Sequence, residues 1–308
     1  MDIILIIVGI AMVLWGADRL TEGASSIAMK LNIPQIVIGL TIVAMGTSMP
    51  EFCVSLVSAL KGTPDLAVGN VIGSNTFNTL MIVGITALVA PIAITKETVV
   101  KTIPITLFVS CLIYALCTDM KLSRIDAGIL FVLFIVFMYD TIRNAKEDNA
   151  DGSGEETKMM STTKSICFLV LGLVCLVLGS NIFVDGATNV ARSLGVSDAV
   201  IGLTIVAGGT SLPELATSVV AAKKGNSAIA IGNVLGSNIF NILMILGLAG
   251  LICPMEIKGI TVVDFGMAIF SMLVMWLFTT TKYRVDRWEG AVMASMYIAY
   301  IAYLIYNL

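Results

Sequence analysis

The chain contains no histidine. That removes the commonest transition-metal ligand and the usual near-neutral proton relay, so a metal handled here should be a hard cation held by oxygen. Charge is also scarce: 13% of the 308 residues are Asp, Glu, Lys or Arg, against about a quarter in a soluble domain. No basic tract suited to nucleic acid is present, and the formal net charge of −3 says little because most charges fall in loops. The six cysteines, at 53, 111, 117, 167, 175 and 253, include no CxxC pair and lie in or beside apolar segments. They read as packing residues. No cleavable leader is expected, because the apolar run from Ile3 continues into a helix with matched sequence in the second half.

What is abundant is apolar sequence, 57% of the residues. Runs of about 20 recur from end to end, the length that crosses a bilayer as a helix. Ten helices are predicted, at 3–28, 35–60, 65–90, 98–118, 125–144, 164–191, 198–223, 228–253, 259–281 and 286–307. The least apolar interval is 144–163, a Gly-, Ser- and acid-rich linker that divides the chain into repeats 1–143 and 164–308. About 20 residues cannot hold a folded domain.

One stretch is written twice. Residues 38–84 and 201–247 align without a gap at an offset of 163, with 30 of 47 positions identical. Each copy carries GTSxPE and then GNVxGSNxFN. The offset continues upstream, where Gly9, Gly16 and Gly23 match Gly172, Gly179 and Gly186. Lys and Arg set the orientation. Five lie on the N-terminal side and twelve on the other, with Arg19 inside the first helix uncounted. The richer side should be cytoplasmic, placing both termini outside and the linker inside. Five helices per half is an odd number, so the second half enters from the opposite side. The expected fold is an all-α membrane protein of ten transmembrane helices in two inverted five-helix repeats. Membrane transporters with a site at the repeat interface are built this way.

The repeated motifs carry the chemistry. In Gly46-Thr47-Ser48-Met49-Pro50-Glu51, Pro50 has no N–H, so the Gly46 carbonyl loses its helical partner and the helix opens. Thr47 and Ser48 stand i, i+4 and i, i+3 from Glu51 and share its face. Thr210, Ser211, Pro213 and Glu214 repeat the arrangement. The next helix adds a stripe, Asn70, Ser74 and Asn78, repeated as Asn233, Ser237 and Asn241, beside a GxxxG. A charged residue at mid-membrane costs on the order of 2.5–3.5 kcal/mol and reads as functional by default. Two carboxylates at symmetric positions, with neutral oxygens around them, give a cage of charge −2. Such a cage suits one Ca2+, which takes 6–8 oxygens in flexible geometry, or several Na+. Mg2+ fits less well.

These motifs resemble the two alpha repeats of the calcium/cation antiporters, especially the prokaryotic sodium/calcium exchangers, over essentially the whole chain. The resemblance implies Na+-driven Ca2+ exchange with no cofactor beyond the transported ions. It implies ligands Thr47, Ser48, Glu51, Ser74 and Asn78 in the first repeat, and Thr210, Ser211, Glu214, Ser237 and Asn241 in the second. Backbone carbonyls of Ala44 and Ala207 join them, and the first and sixth helices would form the sliding gate. In potassium-dependent relatives position 241 is Asp; Asn241 here argues against K+ co-transport. Proton-coupled relatives carry a Glu soon after the GN of this helix, where this chain has Gly73-Ser74-Asn75 and Gly236-Ser237-Asn238. A Ca2+/H+ antiporter is therefore the runner-up. A cation channel needs a continuous pore with weak sites, and an intramembrane enzyme lacks a nucleophile–base set. Arg19 and Glu22, i, i+3 apart, are expected to pair; Asp18, Glu22 and Asp185 are left outside the site.

Overall fold

The structure, a computed structural model, describes residues 2–145, 160–195 and 207–306. In chain order the first repeat has α1 (Asp2–Leu31), α2 (Gln35–Thr47), α3 (Met49–Leu60), α4 (Pro64–Val89), α5 (Thr98–Leu116) and α6 (Arg124–Asn144). The second has α7 (Thr162–Ser193), α8 (Ala207–Thr210), α9 (Leu212–Lys223), α10 (Ser227–Ile252), α11 (Val262–Lys282) and α12 (Arg287–Tyr306). Among the described residues eight helices are long and apolar enough to span a bilayer, and α2 with α3 makes a ninth span bent by 49°. The expected seventh span, 198–223, is described only from 207, as α8 and α9; its start and most of linker 144–163 lie outside the described residues.

The inversion of the repeats is visible where α1 meets α7. These equivalent helices run antiparallel, with Gly9 against Gly179, Gly16 against Gly172 and Gly186 against Asp2. A glycine every seventh residue strips one face of each helix of side chains, so the backbones touch. A Cβ on Gly172 would sit 2.7 Å from the Leu20 nitrogen and 2.8 Å from the Gly16 carbonyl oxygen. At 30 and 32 residues and 1.5 Å per residue, both helices reach about 45 Å, longer than a ~30 Å hydrocarbon core. Such helices must tilt.

Two short strand pairs clip the halves together. β1 (Ile92–Ala93) pairs antiparallel with β4 (Arg284–Val285), and β2 (Lys121–Leu122) with β3 (Met255–Glu256). β1 and β3 stand 163 residues apart, as do β2 and β4. The clips are thus repeat-related, β1–β4 on the linker side and β2–β3 on the far side.

Burial is inverted relative to a soluble protein. The outer helices expose large apolar side chains, such as Val132, Ile135 and Val136 on α6, as a lipid-facing surface must. The central pair, α4 and α10, has 78% of each apolar window buried, against 11% for α6. Those two helices carry the Asn and Ser residues of the repeated motif, so the polar residues occupy the middle of the molecule.

Candidate functional site

The site forms where two broken helices face each other. α2 stops at Thr47, Ser48 leaves helical geometry at φ −83°, ψ 10°, and α3 restarts with Pro50 as its second residue. Proline is tolerated there because first-turn N–H groups have no helical acceptor anyway. The second repeat does the same at Ser211, φ −89°, ψ 8°, before α9. Each restart puts a glutamate, Glu51 or Glu214, in the first turn of a helix, the end whose dipole favours negative charge.

The two breaks are tied by reciprocal hydrogen bonds. Ser48 Oγ donates to Glu214 Oε1 at 2.8 Å, and Ser211 Oγ donates to Glu51 Oε1 at 2.8 Å. Both glutamates are 1% exposed. Thr47 Oγ1 donates to Asn233 Oδ1 at 3.0 Å, and Thr210 lies against the Glu51 carboxylate. Opposite these, α4 and α10 switch to π-helical turns over Phe77–Ile82 and Phe240–Leu246. Each switch begins one residue before the site asparagine, Asn78 or Asn241. A π turn adds a residue within the helix, a distortion common at functional sites.

What remains unsatisfied defines the chemistry. Glu51 Oε2, Glu214 Oε2, Asn78 Oδ1, Asn241 Oδ1 and Ser237 Oγ are all buried without a hydrogen-bond partner. Buried polar atoms without partners are uncommon and costly. Four of these five atoms can only accept. Buried acceptors lacking donors are satisfied by a cation, and an all-oxygen donor set fits a hard one. Among the described residues no group of three or more His, Cys, Asp or Glu forms an alternative metal cluster.

Of the sequence-predicted site residues, Thr47, Ser48, Glu51, Thr210, Ser211, Glu214 and Ser237 meet here, while Asn78 and Asn241 are bonded across the α4–α10 contact to Asn238 and Asn75. Ser74 is buried one turn before Asn78. The Ala44 carbonyl accepts from Ser48 N at 3.0 Å and Thr47 Oγ1 at 3.3 Å, bonds within its own helix end. Ala207 opens α8, and nothing beyond its backbone is described. Asn70 and Asn233, though on the stripe, are braces. Asn70 Nδ2 bonds the Glu51 carbonyl at 3.2 Å and Ser55 Oγ at 2.9 Å. Asn233 Nδ2 makes the equivalent bonds to Glu214 and Ser218. Sequence reasoning missed Asn75 and Asn238, which hydrogen-bond the site asparagines. Their only signal was membership of the repeated GSN triplet.

The two sides of the site differ. On the linker side α1 packs along α9, Asn226 Nδ2 bonds Ser25 Oγ at 3.0 Å, and Lys224 pairs with Asp18 at 2.5 Å and Glu22 at 3.3 Å. Arg19 pairs with Glu22 at 2.9 Å, as its spacing predicts. The repeat-related surfaces, α7 and α3 on the far side, make no comparable packing among the described residues. Lys61 and Asp185, equivalents of Lys224 and Glu22, are both exposed there.

Comparison with known proteins gives a consistent picture. The family described as sodium/calcium exchanger protein matches residues 1–142 and again residues 164–306, one match per repeat. A putative antiporter, CaxA, of Alkalimonas amylolytica is 40% identical over 99% of this chain and 98% of its own length. The sodium/calcium exchanger MaX1 of Methanosarcina acetivorans is 33% identical over 99% of both. Among solved structures, the sodium-calcium exchanger NCX_Mj soaked with 2.5 mM Na+ and 0.1 mM Ca2+ superposes with a TM-score of 0.85 at 32% identity. That match covers 98% of this chain and 97% of the other.

Proposed function

The chain belongs to the sodium/calcium exchanger family of calcium/cation antiporters, and from that membership and the site geometry we propose that it exchanges Na+ for Ca2+ by alternating access. The observation that carries the reading is the pair of buried glutamates, each bonded by the other repeat's serine and each left with one partnerless oxygen. Two carboxylates neutralise one Ca2+, and the hydroxyl and amide oxygens extend its shell toward the 6–8 ligands it takes. The ligands proposed are the side chains of Thr47, Ser48, Glu51, Ser74, Asn78, Thr210, Ser211, Glu214, Ser237 and Asn241, with the backbone of Ala44 and Ala207. Na+, of similar size, competes for the same oxygens from the opposite compartment.

The antiparallel α1–α7 pair is the moving part of this proposal. At its glycines the two backbones touch directly, so fewer side chains interlock there to resist sliding. The linker-side seal, and the lack among the described residues of comparable packing between α7 and α3, fit a state open away from the linker. A channel reading fits less well, because both carboxylates are buried and the linker side is closed. The protein is placed in the plasma membrane with both termini outside and the linker cytoplasmic, following the Lys/Arg asymmetry.

The test is 45Ca2+ uptake into proteoliposomes with Na+, K+ or H+ gradients imposed one at a time. A Na+ gradient alone is expected to drive uptake, with K+ replaced by choline at no cost. Uptake driven fully by a proton gradient alone would establish the Ca2+/H+ alternative, and uptake that needs no counter-ion gradient would establish a channel.

A further inference from the structure

Asn78 and Asn241 present oxygen to the site only because their amides are turned one way. An asparagine amide has an oxygen at one end and a two-donor nitrogen at the other. The reverse orientation would put a donor where each partnerless amide oxygen now stands. Nothing in the amide itself favours one end over the other. Something must therefore hold the amides as they are.

The holding groups lie one turn back, on α4 and α10. Asn241 Nδ2 donates to Asn75 Oδ1 at 3.0 Å, and Asn78 Nδ2 donates to Asn238 Oδ1 at 3.2 Å. Both acceptors are themselves buried and oriented. Asn75 Nδ2 donates to the Asn238 backbone carbonyl at 3.0 Å, an acceptor that cannot turn. Asn238 Nδ2 donates to Thr79 Oγ1 at 2.9 Å, and the Thr79 hydroxyl in turn bonds the Asn75 carbonyl at 2.9 Å. Each amide in the chain is thereby polarised by the one behind it, and the polarity ends on the site oxygens. Thr79 has no polar counterpart in the other repeat, where the equivalent position is Ile242. The two relays therefore reach the same result through different anchors.

We propose that Asn75 and Asn238 are positioning residues that lock the Asn241 and Asn78 amides with their oxygens toward the cation, and so set the Ca2+ affinity of the site. The proposal rests on the Ca2+-binding reading above. Neither residue touches the ion. Their effect is preorganisation: the amide oxygens are already turned outward from their partners, so that binding does not first have to turn two amides.

The experiment is a double-mutant cycle on the full chain in detergent, read as the Ca2+ concentration that half-saturates a thermal shift. Asn75→Ala frees the Asn241 amide. Its half-saturating Ca2+ is expected to rise about three- to tenfold, the scale of one net hydrogen bond. In an Asn241→Asp background both ends of the side chain are oxygen, so no orienting partner is needed, and Asn75→Ala should cause no loss. A packing role for Asn75 would weaken binding equally in both backgrounds, and that result overturns the proposal. So does an unchanged affinity for Asn75→Ala in the Asn241 background. Asn238→Ala with and without Asn78→Asp makes the same comparison from the other repeat, and stands in if the first variant does not fold. Failure of the Ca2+-binding reading looks different: the unmutated protein itself then shows no Ca2+-dependent shift.

Discussion

Removing one site charge should weaken Ca2+ binding steeply without harming the fold. In Glu51→Gln the shape is kept and Ser211 still has an oxygen to bond, but Nε2 replaces Oε2, the atom that lacks a partner. At a ligand distance of about 2.4 Å and an effective dielectric of about 20, a divalent ion and one unit charge attract by roughly 14 kcal/mol. That is an upper bound. Burying the carboxylate costs several kcal/mol, and repulsion from the second carboxylate subtracts more. If only a fifth survives, about 2.8 kcal/mol, the affinity still falls roughly a hundredfold. The assay is the Ca2+-induced rise in melting temperature of detergent-purified protein. Glu51→Gln and Glu214→Gln should each need about a hundredfold more Ca2+ for the same rise. Their Ca2+-free melting temperatures should equal or exceed that of the unmutated protein, because a buried charge is gone. Either variant responding at the unmutated protein's Ca2+ concentrations would refute the assignment. A large fall in the Ca2+-free melting temperature would instead make the glutamates structural.

Three further outcomes follow from the same geometry. Exchange should be electrogenic, since more Na+ than Ca2+ charge must move to extrude Ca2+ against a steep gradient. A K+/valinomycin potential of 100 mV, worth about 2.3 kcal/mol per charge and positive on the side Na+ enters from, should speed Na+-driven Ca2+ flux; a rate flat across imposed voltages refutes this. Gly172→Leu forces a side chain where even a Cβ lies 2.8 Å from the Gly16 carbonyl oxygen. Overpacking of about 1–3 kcal/mol should slow exchange while Ca2+ half-saturation stays put, and an unaltered turnover would show that the α1–α7 contact does not move. Lys224→Gln removes one of the two cations shared by Asp18 and Glu22, the other being Arg19. Partly exposed pairs are worth about 0.2–1 kcal/mol, so labelling of a cysteine placed at Ser25 in a cysteine-free background should quicken no more than about fivefold; no change at all would remove the pair from the seal.

The spans, the repeat and its inversion were legible in the sequence because they depend on local composition and counting. A helix of about 20 apolar residues closes its own backbone hydrogen bonds, so hydropathy finds it without knowing its neighbours. The offset of 163 and an odd number of spans imply inversion by parity alone. Pro50 and Pro213 announced the helix breaks, because the missing N–H acts within one turn. Glu51 and Glu214 stood out because charge in apolar sequence is expensive. The partners of these residues were not legible. That Ser48 bonds Glu214 and Ser211 bonds Glu51 depends on how two distant helices meet. No local pattern marks the π turns that begin beside Asn78 and Asn241. Asn70 and Asn75 are the same residue type five positions apart, yet one braces α3 and the other orients Asn241. Only the direction of each side chain separates them. The clearest limit is the closed side. The repeated motifs match at 30 of 47 positions, so they do not by themselves say which side closes. Packing of α1 on α9, without the matching contact of α7 on α3, is a property of the assembled helices. It breaks the symmetry that the repeated motifs carry.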